Sequence, residues 1–313
     1  MQFITEEQSA ALFDHGVAYD AMIEALVTGC DDGTTHFPVV AAHGSDRANR
    51  FSIKAASTSD MAGLKVGSYW PGNFDRGLPR HNSLILLFDQ QLGMIRYIIQ
   101  GGRVNAYRTA AVDAIAVNLL ARKNASTLAI FGAGHQAFYE CEAISRMRKI
   151  KRILVVARRA EQAREMVARL SALGHAAEVA APREACEAAD IVVTSTGARE
   201  PLFDAAWIRP GTHVASMGSD AVGKQELPPG LFDRAELYCD HPEQARRIGE
   251  FQHARADHVL HPLGQVITGD VPGRVSDEQI TVFDSSGLSI QDLVAARHII
   301  SRFERSTAEA AGG

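Results

Sequence analysis

The segment 128–137, Leu-Ala-Ile-Phe-Gly-Ala-Gly-His-Gln-Ala, constrains the fold of this chain more than any other. Its apolar residues run into Gly132-x-Gly134-x-x-Ala137, a pattern typical of a buried strand that turns sharply into a helix. Gly132 permits the tight turn, Gly134 leaves room for a pyrophosphate beside the main chain, and Ala137 lets the helix pack close to the strand. The N–H groups at the helix start would face the phosphates. The segment predicts a dinucleotide-binding turn, although a βα turn without a ligand gives the same pattern.

The sequence after this turn alternates between helical stretches and short apolar runs. A helical stretch at 139–147 is followed by an apolar run at 152–156, and later runs lie at 191–194, 213–216 and 236–239. Alternation of this kind is typical of parallel strands joined by crossover helices. We therefore predict an α/β fold that contains a Rossmann dinucleotide-binding domain.

The composition is that of an ordinary globular protein. The chain has 313 residues, 46% hydrophobic and 22% charged, which is enough for two domains. Its 37 acidic and 32 basic residues are well mixed, so the sequence predicts neither a nucleic-acid partner nor a membrane surface. Apolar runs too short to span a bilayer, with acids (Glu6, Glu7) near the N-terminus, predict a cytoplasmic protein.

Cysteine and histidine spacing gives no metal signature. The scattered cysteines lack a Cys-x-x-Cys pair, which favours reduced structural thiols; they are Cys30, Cys141, Cys186 and Cys239. A second group could suggest a metal site, and it comprises His253, His258 and His261 with Glu250 and Asp257. Its spacing lacks the His-Glu-x-x-His pattern, which favours a surface helix and loop.

The N-terminal part of the chain predicts an α+β domain. A short strand at residues 3–4 precedes a helix start at Thr5, and strand-like pieces follow at 37–41 and 50–54. The runs at 83–89 and 94–99 flank Gly93, which predicts a β-hairpin with the glycine in its turn.

Two basic residues in this part are candidates for a site. Lys65 lies in 64–79, a segment rich in glycine and proline that predicts a loop; Lys65 is either a site residue or a solvated lysine. Asn105 is predicted to open a long helix that reaches about Ala121, with Arg108 in its first turn. A positive charge there opposes the helix dipole, so we expect Arg108 to have an anionic partner.

The end of the chain returns to the first domain in this interpretation. Residues 280–284 predict one more strand, and a C-terminal helix begins at 285–292. The predicted substrate-binding and dimerisation domain comprises 1–113 and 286–313, and the Rossmann domain comprises 114–285.

With these residues in place, the chain resembles the ornithine cyclodeaminase/mu-crystallin family over nearly its whole length. The motifs that carry the resemblance are Lys65 with Pro71-Gly-Asn73 and Gly77-Leu-Pro79, Leu86-Leu-Phe-Asp89, Gly93, Arg108-Thr-Ala-Ala111, Gly132-Ala-Gly-His-Gln-Ala137 and Gly218-Ser-Asp-Ala-Val-Gly-Lys-Gln-Glu-Leu227. The resemblance implies a homodimer and an enzyme that oxidises or reduces a C–N bond beside a carboxylate.

The resemblance also implies roles for individual residues. Lys65 and Arg108 would contact the substrate carboxylate and the imine side, Asn73 would bind the substrate, and Asp220 would be the acid/base. The implied cofactor contacts are Thr109, Gly132, Gly134, His135, Gln136, Thr196, Met217, Gly218, Ser286 and Gly287. Hydride transfer between an amino carbon and nicotinamide needs an oriented carboxylate and a group that handles the proton on nitrogen, so the chemistry agrees with these roles. For Asp220, a helix cap is the structural alternative.

The cofactor expectation depends on the end of the second Rossmann strand. An acidic residue there would bind the ribose 2′-hydroxyl of NAD. Here Arg158 and Arg159 occupy the place where a 2′-phosphate would lie, which favours NADP(H) slightly over NAD(H). Both arginines could equally belong to a solvated helix start.

The substrate expectation depends on departures from the cyclodeaminase pattern. Cyclodeaminases carry an arginine and a glutamate before the lysine, whereas Val40 and Ile53 are the approximate counterparts here and Lys54 follows. Without that glutamate, the second ammonium of ornithine loses its partner, and a lysine favours a second carboxylate instead. The sequence segments 51–54, 67–73 and 248–253 resemble the iminosuccinate reductase-like branch of the family. The alternative is that Lys54 faces solvent.

Three functions follow from these observations. The first is an NAD(P)H-dependent imino-acid reductase or amino-acid dehydrogenase acting on a small substrate, for which Lys54 favours a dicarboxylic compound such as iminosuccinate or aspartate. The second is an ornithine cyclodeaminase, and the third is a non-catalytic, nucleotide-dependent binder of the mu-crystallin type. Asp220 weighs against the third.

Overall fold

The computed structural model describes residues 1–312, apart from the side chains at 74 and 310–312. Two compact units can be distinguished, one formed by Met1–Arg108 and Leu288–Gly313, the other by Thr109–Gly287. This division falls earlier than the boundary expected after residue 113 and later than the one expected after residue 285. The assignment of functional domains stays a prediction.

The first part contains β1 (Gln2–Ile4), α1 (Glu6–Leu12), α2 (His15–Thr28), β2 (Thr35–His36), β3 (Val40–His43), β4 (Arg50–Ser57), β5 (Ala62–Tyr69), β6 (His81–Phe88), β7 (Ile95–Gln100) and α3 (Gly102–Leu120). The second contains β8 (Thr127–Phe131), α4 (His135–Met147), β9 (Arg152–Val156), α5 (Ala160–Ala172), β10 (Ala177–Val179), α6 (Pro182–Ala188), β11 (Ile191–Thr194), β12 (His213–Ser216), β13 (Ala235–Cys239), α7 (Pro242–Ile248), β14 (Leu260–Pro262), α8 (Leu263–Thr268), β15 (Ile280–Asp284) and α9 (Ser289–Gly312).

The first unit is built on a mixed sheet with the order β1-β7-β6-β5-β4-β2, and β3 also pairs with β4. β1 pairs with β7 in parallel, and the hairpin β6–β7 is antiparallel as predicted, with Gly93 at a φ of +68° in its turn. Side chains alternate between the two faces of a strand, and one face, with Ala56, Ile85 and Ile99, is buried. Helix α9 packs against β4, β5 and β6, and α2 packs against α9.

The segment that contains Lys65 is a strand and not the predicted loop. Residues 62–69 form β5, which pairs with β4 on one side and β6 on the other. Only its second half, from Pro71 to Arg76, is irregular and forms a 3₁₀ turn. The prediction was wrong because glycines and a lysine occupy the buried face of β5, where a strand normally presents apolar side chains.

Helix α3 begins earlier than predicted, at Gly102 instead of Asn105. The Glu6 carboxylate accepts hydrogen bonds from the backbone N–H groups of Gly102 at 2.8 Å and Arg103 at 2.7 Å, so an acid from α1 caps the helix. Arg108 therefore lies beyond the first turn. The dipole argument for its anionic partner does not apply, and its contacts must be explained by burial.

The second unit is the predicted Rossmann sheet. Its strand order is β10-β9-β8-β11-β12-β15-β13-β14, and every pair is parallel. The strand order reverses beside β8, and open α/β sheets bind ligands at the carboxyl ends of strands around such a reversal. The predicted turn from β8 into α4 lies at this edge.

The C-terminal helix begins at Ser289, a few residues later than predicted, so residues 285–287 form a connection after β15. Among the helices formed by residues 1–312, none has the length and apolar character that crossing a membrane requires.

Candidate active site

Lys54 and Lys65 lie directly opposite each other on the neighbouring strands β4 and β5. Residues in such a pair point to the same face of a sheet, here the face covered by α9. Lys54 is 8% exposed and Lys65 is 6% exposed, so neither is the solvated lysine that was the alternative. The Ser289 hydroxyl donates to the carbonyl oxygen of Lys54 at 3.0 Å, which connects the start of α9 to β4.

Asp292, in the first turn of α9, brings the basic side chains together. Lys65 Nζ and Arg108 Nε each lie 3.2 Å from Asp292 Oδ1. Arg108 is 5% exposed and Asp292 is 1% exposed. We call Lys54, Lys65, Arg108 and Asp292 the basic cluster; it contains three basic groups and one carboxylate.

Burial has a large effect on the charge of Lys65. It lowers the pKa of Lys65 from 10.5 to about 7; the Asp292 carboxylate opposes this shift, whereas Arg108 and Lys54 increase it. Lys65 therefore changes charge near neutral pH. A bound anion would favour the charged form of Lys65.

Sequence reasoning missed two amides that orient Arg108. Asn105 Oδ1 accepts hydrogen bonds from Lys65 Nζ and, at 2.6 Å, from Arg108 Nη2. Gln291 Oε1 accepts from Arg108 Nη1 at 3.1 Å. The spacing of Asn105 and Arg108, three residues apart on one helix, was a usable signal, but Gln291 and Asp292 are too distant in sequence.

Asn73, a predicted substrate contact, lies in the 3₁₀ turn after β5. Its side-chain Nδ2 donates to the carbonyl oxygen of Pro79 at 2.9 Å. The backbone carbonyl oxygen of Asn73 accepts from the N–H of Leu78. These bonds close the turn. A role for Asn73 in substrate binding stays a prediction.

The turn between β8 and α4 has the geometry that a pyrophosphate needs. Gly132 has a φ of +121°, and a Cβ there would lie 2.6 Å from the carbonyl oxygen of Ser195, so glycine is required. A Cβ at Gly134 would meet nothing within 4 Å, which leaves the surface beside the helix start open. Ala137 is fully buried against the strand. The residues present therefore fit the phosphates of a dinucleotide.

The other predicted cofactor contacts follow the carboxyl ends of strands in the same sheet. Thr196 follows β11, Met217 and Gly218 follow β12, and Ser286 and Gly287 follow β15. The N–H of Met217 donates to the carbonyl oxygen of Thr194 at 2.8 Å, which continues the pairing of the two strands past their ends. These strands are neighbours in the order β11-β12-β15, so the sheet brings their loops to one edge.

The remaining predicted cofactor residues lie on or beside helices. Thr109 is on α3, and His135 and Gln136 form the first turn of α4, where Gln136 Nε2 donates to Glu140 at 2.8 Å. Arg158 and Arg159 are exposed after β9, and Arg159 Nε donates to Gln162 at 2.8 Å.

Asp220 lies in a turn after β12, and not at the start of a helix, so the capping alternative does not describe it. Its side chain is 55% exposed and its Oδ1 lies 2.5 Å from Lys224 Nζ. Lys224 Nζ also donates to the carbonyl oxygen of Gly218 at 2.9 Å. An accessible carboxylate next to predicted cofactor contacts can exchange protons with a ligand.

The histidines after β13 have protein partners. His258 Nε2 lies 3.0 Å from Asp233 Oδ1, and His253 Nε2 lies 2.8 Å from the carbonyl oxygen of Lys224. Within residues 1–312, no group of three or more His, Cys, Asp or Glu side chains could hold a metal ion.

Comparison with known proteins places the chain in a family. The model of the ornithine cyclodeaminase/mu-crystallin family matches residues 10–307. The chain belongs to the ornithine cyclodeaminase/mu-crystallin family. This confirms the resemblance seen in the sequence and agrees with the fold described above.

Relatives within the ornithine cyclodeaminase/mu-crystallin family include enzymes. An iminosuccinate reductase from Paracoccus denitrificans is 33% identical, with 96% of each chain covered. The crystal structure of the Paracoccus denitrificans iminosuccinate reductase in complex with NAD⁺ has a TM-score of 0.90 at 31% identity, covering 98% of this chain and 97% of that chain. An archaeal alanine dehydrogenase dimer with bound NAD also matches this structure with a TM-score of 0.90 at 31% identity. The match covers 97% of this chain and 96% of that chain.

Proposed function

We propose that this protein is an oxidoreductase that uses a nicotinamide dinucleotide to interconvert a small imino acid and the corresponding amino acid. The basic cluster is the observation that carries the proposal. Lys65 and Arg108 are buried and share the single carboxylate of Asp292, so a substrate carboxylate would give these two cations a further anionic partner. The named relatives act on substrates of this class.

Each proposed role follows from the setting of the side chain. Arg108, oriented by Asn105 and Gln291, and Lys65 bind the common carboxylate and so fix the C–N bond in place. The dinucleotide, when bound, supplies or accepts the hydride at carbon. Asp220 donates the proton to nitrogen in the reductive direction and removes it in the oxidative direction.

Lys54 is proposed to select a dicarboxylic substrate. It shares the buried face of Lys65 but lies on the neighbouring strand, so it can bond to a second carboxylate while Lys65 and Arg108 bind the first. A charge-assisted hydrogen bond of this kind contributes about 1.5–3 kcal/mol. The same charge repels the distal ammonium of a diamino acid, which weighs against ornithine.

Lys54→Glu should sharply lower kcat/KM for a dicarboxylic imino acid, by roughly ten- to hundredfold or more, since the lost bond becomes a repulsion. A monocarboxylic substrate should be affected much less. Lys54→Met is the matched control, because it removes the ammonium without adding a carboxylate beside Lys65. Equal effects on both substrate types, or no effect, would show that Lys54 does not contact the substrate side chain.

The pH dependence of substrate capture should report Lys65. Its pKa is about 7, so the ammonium fraction in the free protein falls as the pH rises above that value. We expect kcat/KM for an anionic substrate to fall above pH 7, approaching roughly tenfold per pH unit where one proton is needed for binding. Lys65→Arg keeps the charge at all these pH values and should lose this fall, even if its overall rate is lower. A fall that persists in Lys65→Arg belongs to another group.

We propose a preference for NADP(H) over NAD(H). Arg158 and Arg159 follow β9 as exposed guanidinium groups, where the ribose of a dinucleotide bound at a Rossmann sheet lies. Guanidinium groups suit a 2′-phosphate. Fluorescence titration with NADPH and NADH measures the preference, and a tighter complex with NADH would reverse it.

We further propose that the protein is a homodimer. On the sheet face opposite the basic cluster, Phe3, Val40 and Leu84 are 50%, 53% and 37% exposed, which is a suitable surface for a second copy of the chain. The archaeal alanine dehydrogenase is a dimer. Sedimentation equilibrium should give the mass of two chains; the mass of one chain would contradict this assignment.

Absorbance of the reduced nicotinamide provides the test of function. Oxaloacetate, pyruvate and glyoxylate, each with ammonia, and cyclic imines are tested separately with NADPH and NADH. We expect oxidation of the nicotinamide with an imino acid, and most rapidly with the dicarboxylic one. Release of ammonia from ornithine without net change in NADH would instead identify a cyclodeaminase. Cofactor binding without turnover of any of these compounds would favour a binding protein.

A further inference from the structure

Glu226 is a fully buried carboxylate at the edge of the Rossmann sheet, eight residues after Gly218. It accepts hydrogen bonds from Thr196 N at 2.7 Å, Thr196 Oγ1 at 2.7 Å, Thr194 Oγ1 at 2.9 Å, Ser216 Oγ at 2.9 Å and Gly218 N at 2.9 Å. The donors come from two different strands, β11 and β12, and from the loops that follow them. One side chain therefore connects two loops that both carry predicted cofactor contacts.

The two loops are also in close contact. A Cβ at Gly218 would lie 2.2 Å from the carbonyl oxygen of Thr196 and 2.7 Å from Glu226 Oε1. Glycine at position 218 is thus required by the packing of one loop on the other. Any change that moves Thr196 relative to Gly218 must disturb this contact.

Both carboxylate oxygens of Glu226 must act as hydrogen-bond acceptors. Oε1 accepts from the backbone N–H of Thr196, and Oε2 accepts from the backbone N–H of Gly218. A backbone N–H cannot reverse its role, whereas a hydroxyl can. Burial raises the pKa of Glu226, and the hydrogen bonds from Thr196, Thr194, Gly218 and Ser216 oppose that shift.

We propose that Glu226 is a positioning residue that sets the geometry of the Thr196 and Gly218 loops before the cofactor binds. This inference rests on the proposed function, because it takes both loops as cofactor contacts. Glu226 also closes the segment from Gly218 to its own position, which contains Asp220. Its side chain is fully buried, so it acts through the loops.

A third loop is connected in a separate way and provides an internal reference. Asp240 Oδ2 accepts from Ser285 Oγ at 3.1 Å and from the N–H of Gly287 at 2.8 Å. Asp240 thus holds the connection that contains the predicted cofactor contacts Ser286 and Gly287, through its bonds to Ser285 and Gly287. Changes at Glu226 should leave the Gly287 amide protected from hydrogen exchange.

Glu226→Gln is the decisive variant, because it keeps the shape of the side chain. In either orientation its NH₂ group faces a backbone N–H, of Thr196 or of Gly218. We expect the Kd for the reduced nicotinamide nucleotide to rise roughly ten- to hundredfold, the range seen when the outer partner of a metal ligand is removed. At saturating cofactor, the KM for the imino acid should stay near that of the parent, because the basic cluster is unchanged.

Asp190→Asn is the matched control for the general cost of losing a partly buried carboxylate. Asp190 Oδ2 accepts from the N–H groups of Ser126 at 2.8 Å and Thr127 at 3.1 Å, and Asp190 precedes β11 at the end opposite Thr196. Its loss should lower the melting temperature without changing the cofactor Kd. Equal losses of affinity in both variants, or a folded Glu226→Gln with the parental Kd, would overturn the proposal.

Hydrogen exchange of the parent protein gives a test that needs no variant. The amides of Thr196 and Gly218 should be protected to a similar degree with and without cofactor. If they exchange freely until NADPH or NADH is added, the loops are not positioned in advance and the proposal fails, even where Glu226→Gln does not fold. If the parent protein binds neither nucleotide while both amides are protected, the proposed function fails instead.

Discussion

Asp220→Asn should lower kcat by about 10²–10⁴, the usual contribution of a general acid/base, while the cofactor Kd stays within a factor of two or so of the parent value. The substitution is nearly isosteric; it removes the ability to exchange a proton, together with the negative charge that pairs with Lys224. Asp220 is more than half exposed, so the protein should fold normally. Single-turnover measurements of nicotinamide absorbance, with the imino acid saturating, separate this step from binding.

Asp233→Asn is the control for loss of an exposed, ion-paired aspartate. Asp233 pairs with Arg255, and its side chain is 48% exposed, close to the 55% of Asp220. We expect parental kcat in Asp233→Asn. Lys224→Met removes the same ion pair as Asp220→Asn but leaves the carboxylate, so it should have a smaller effect. A parental kcat in Asp220→Asn would assign proton transfer to another group.

The Rossmann unit was the part of the fold that the sequence predicted best. Its central strands are buried on both faces and read as continuous apolar runs, such as Ile191–Thr194. The turn at Gly132 could be predicted because its backbone requires a positive φ, which glycine adopts without strain. Local chemistry and tertiary structure agree at this turn.

The three basic residues of the basic cluster were singled out in the sequence, but their setting and Asp292 were not. The segment that contains β5 was taken for a loop because it is rich in glycine and proline, and because its buried face carries Lys65 and glycines instead of the usual apolar side chains. Arg108 was placed at a helix start because no local signal shows that Glu6, on a different helix, caps α3. Asp292 lies 227 residues after Lys65, and single-sequence patterns do not reveal such pairs.

Glu226 illustrates a different limit. Within Gly218-Ser-Asp-Ala-Val-Gly-Lys-Gln-Glu-Leu227 it resembles any surface glutamate after a lysine, whereas the structure buries it under two loops. Its importance depends on Thr196, which is distant along the chain but adjacent in the parallel sheet. A carboxylate with several donors can be recognised only when the strand order is known.

Gly134→Asp should abolish binding of the nicotinamide nucleotide and leave the fold intact. A Cβ at this position meets nothing within 4 Å and the backbone has an ordinary φ of −88°, so the variant should melt close to the parent. Its carboxylate would lie where the pyrophosphate approaches the main chain at the start of α4, so the two anions would repel each other and overlap. Fluorescence titration, together with a melting curve, measures both effects.

Two neighbouring substitutions distinguish this mechanism from damage to the turn. Gly134→Ala adds bulk without charge and should bind the nucleotide better than Gly134→Asp, with the same melting temperature. Gly132→Ala forces a Cβ to 2.6 Å from the carbonyl oxygen of Ser195 at a φ of +121°, so it should lower the melting temperature as well as the affinity. Loss of binding in Gly134→Asp alone therefore reports the phosphate contact. A folded Gly134→Asp that binds the nucleotide like the parent would show that the dinucleotide does not lie at this turn, and the assignment of the site would have to be abandoned.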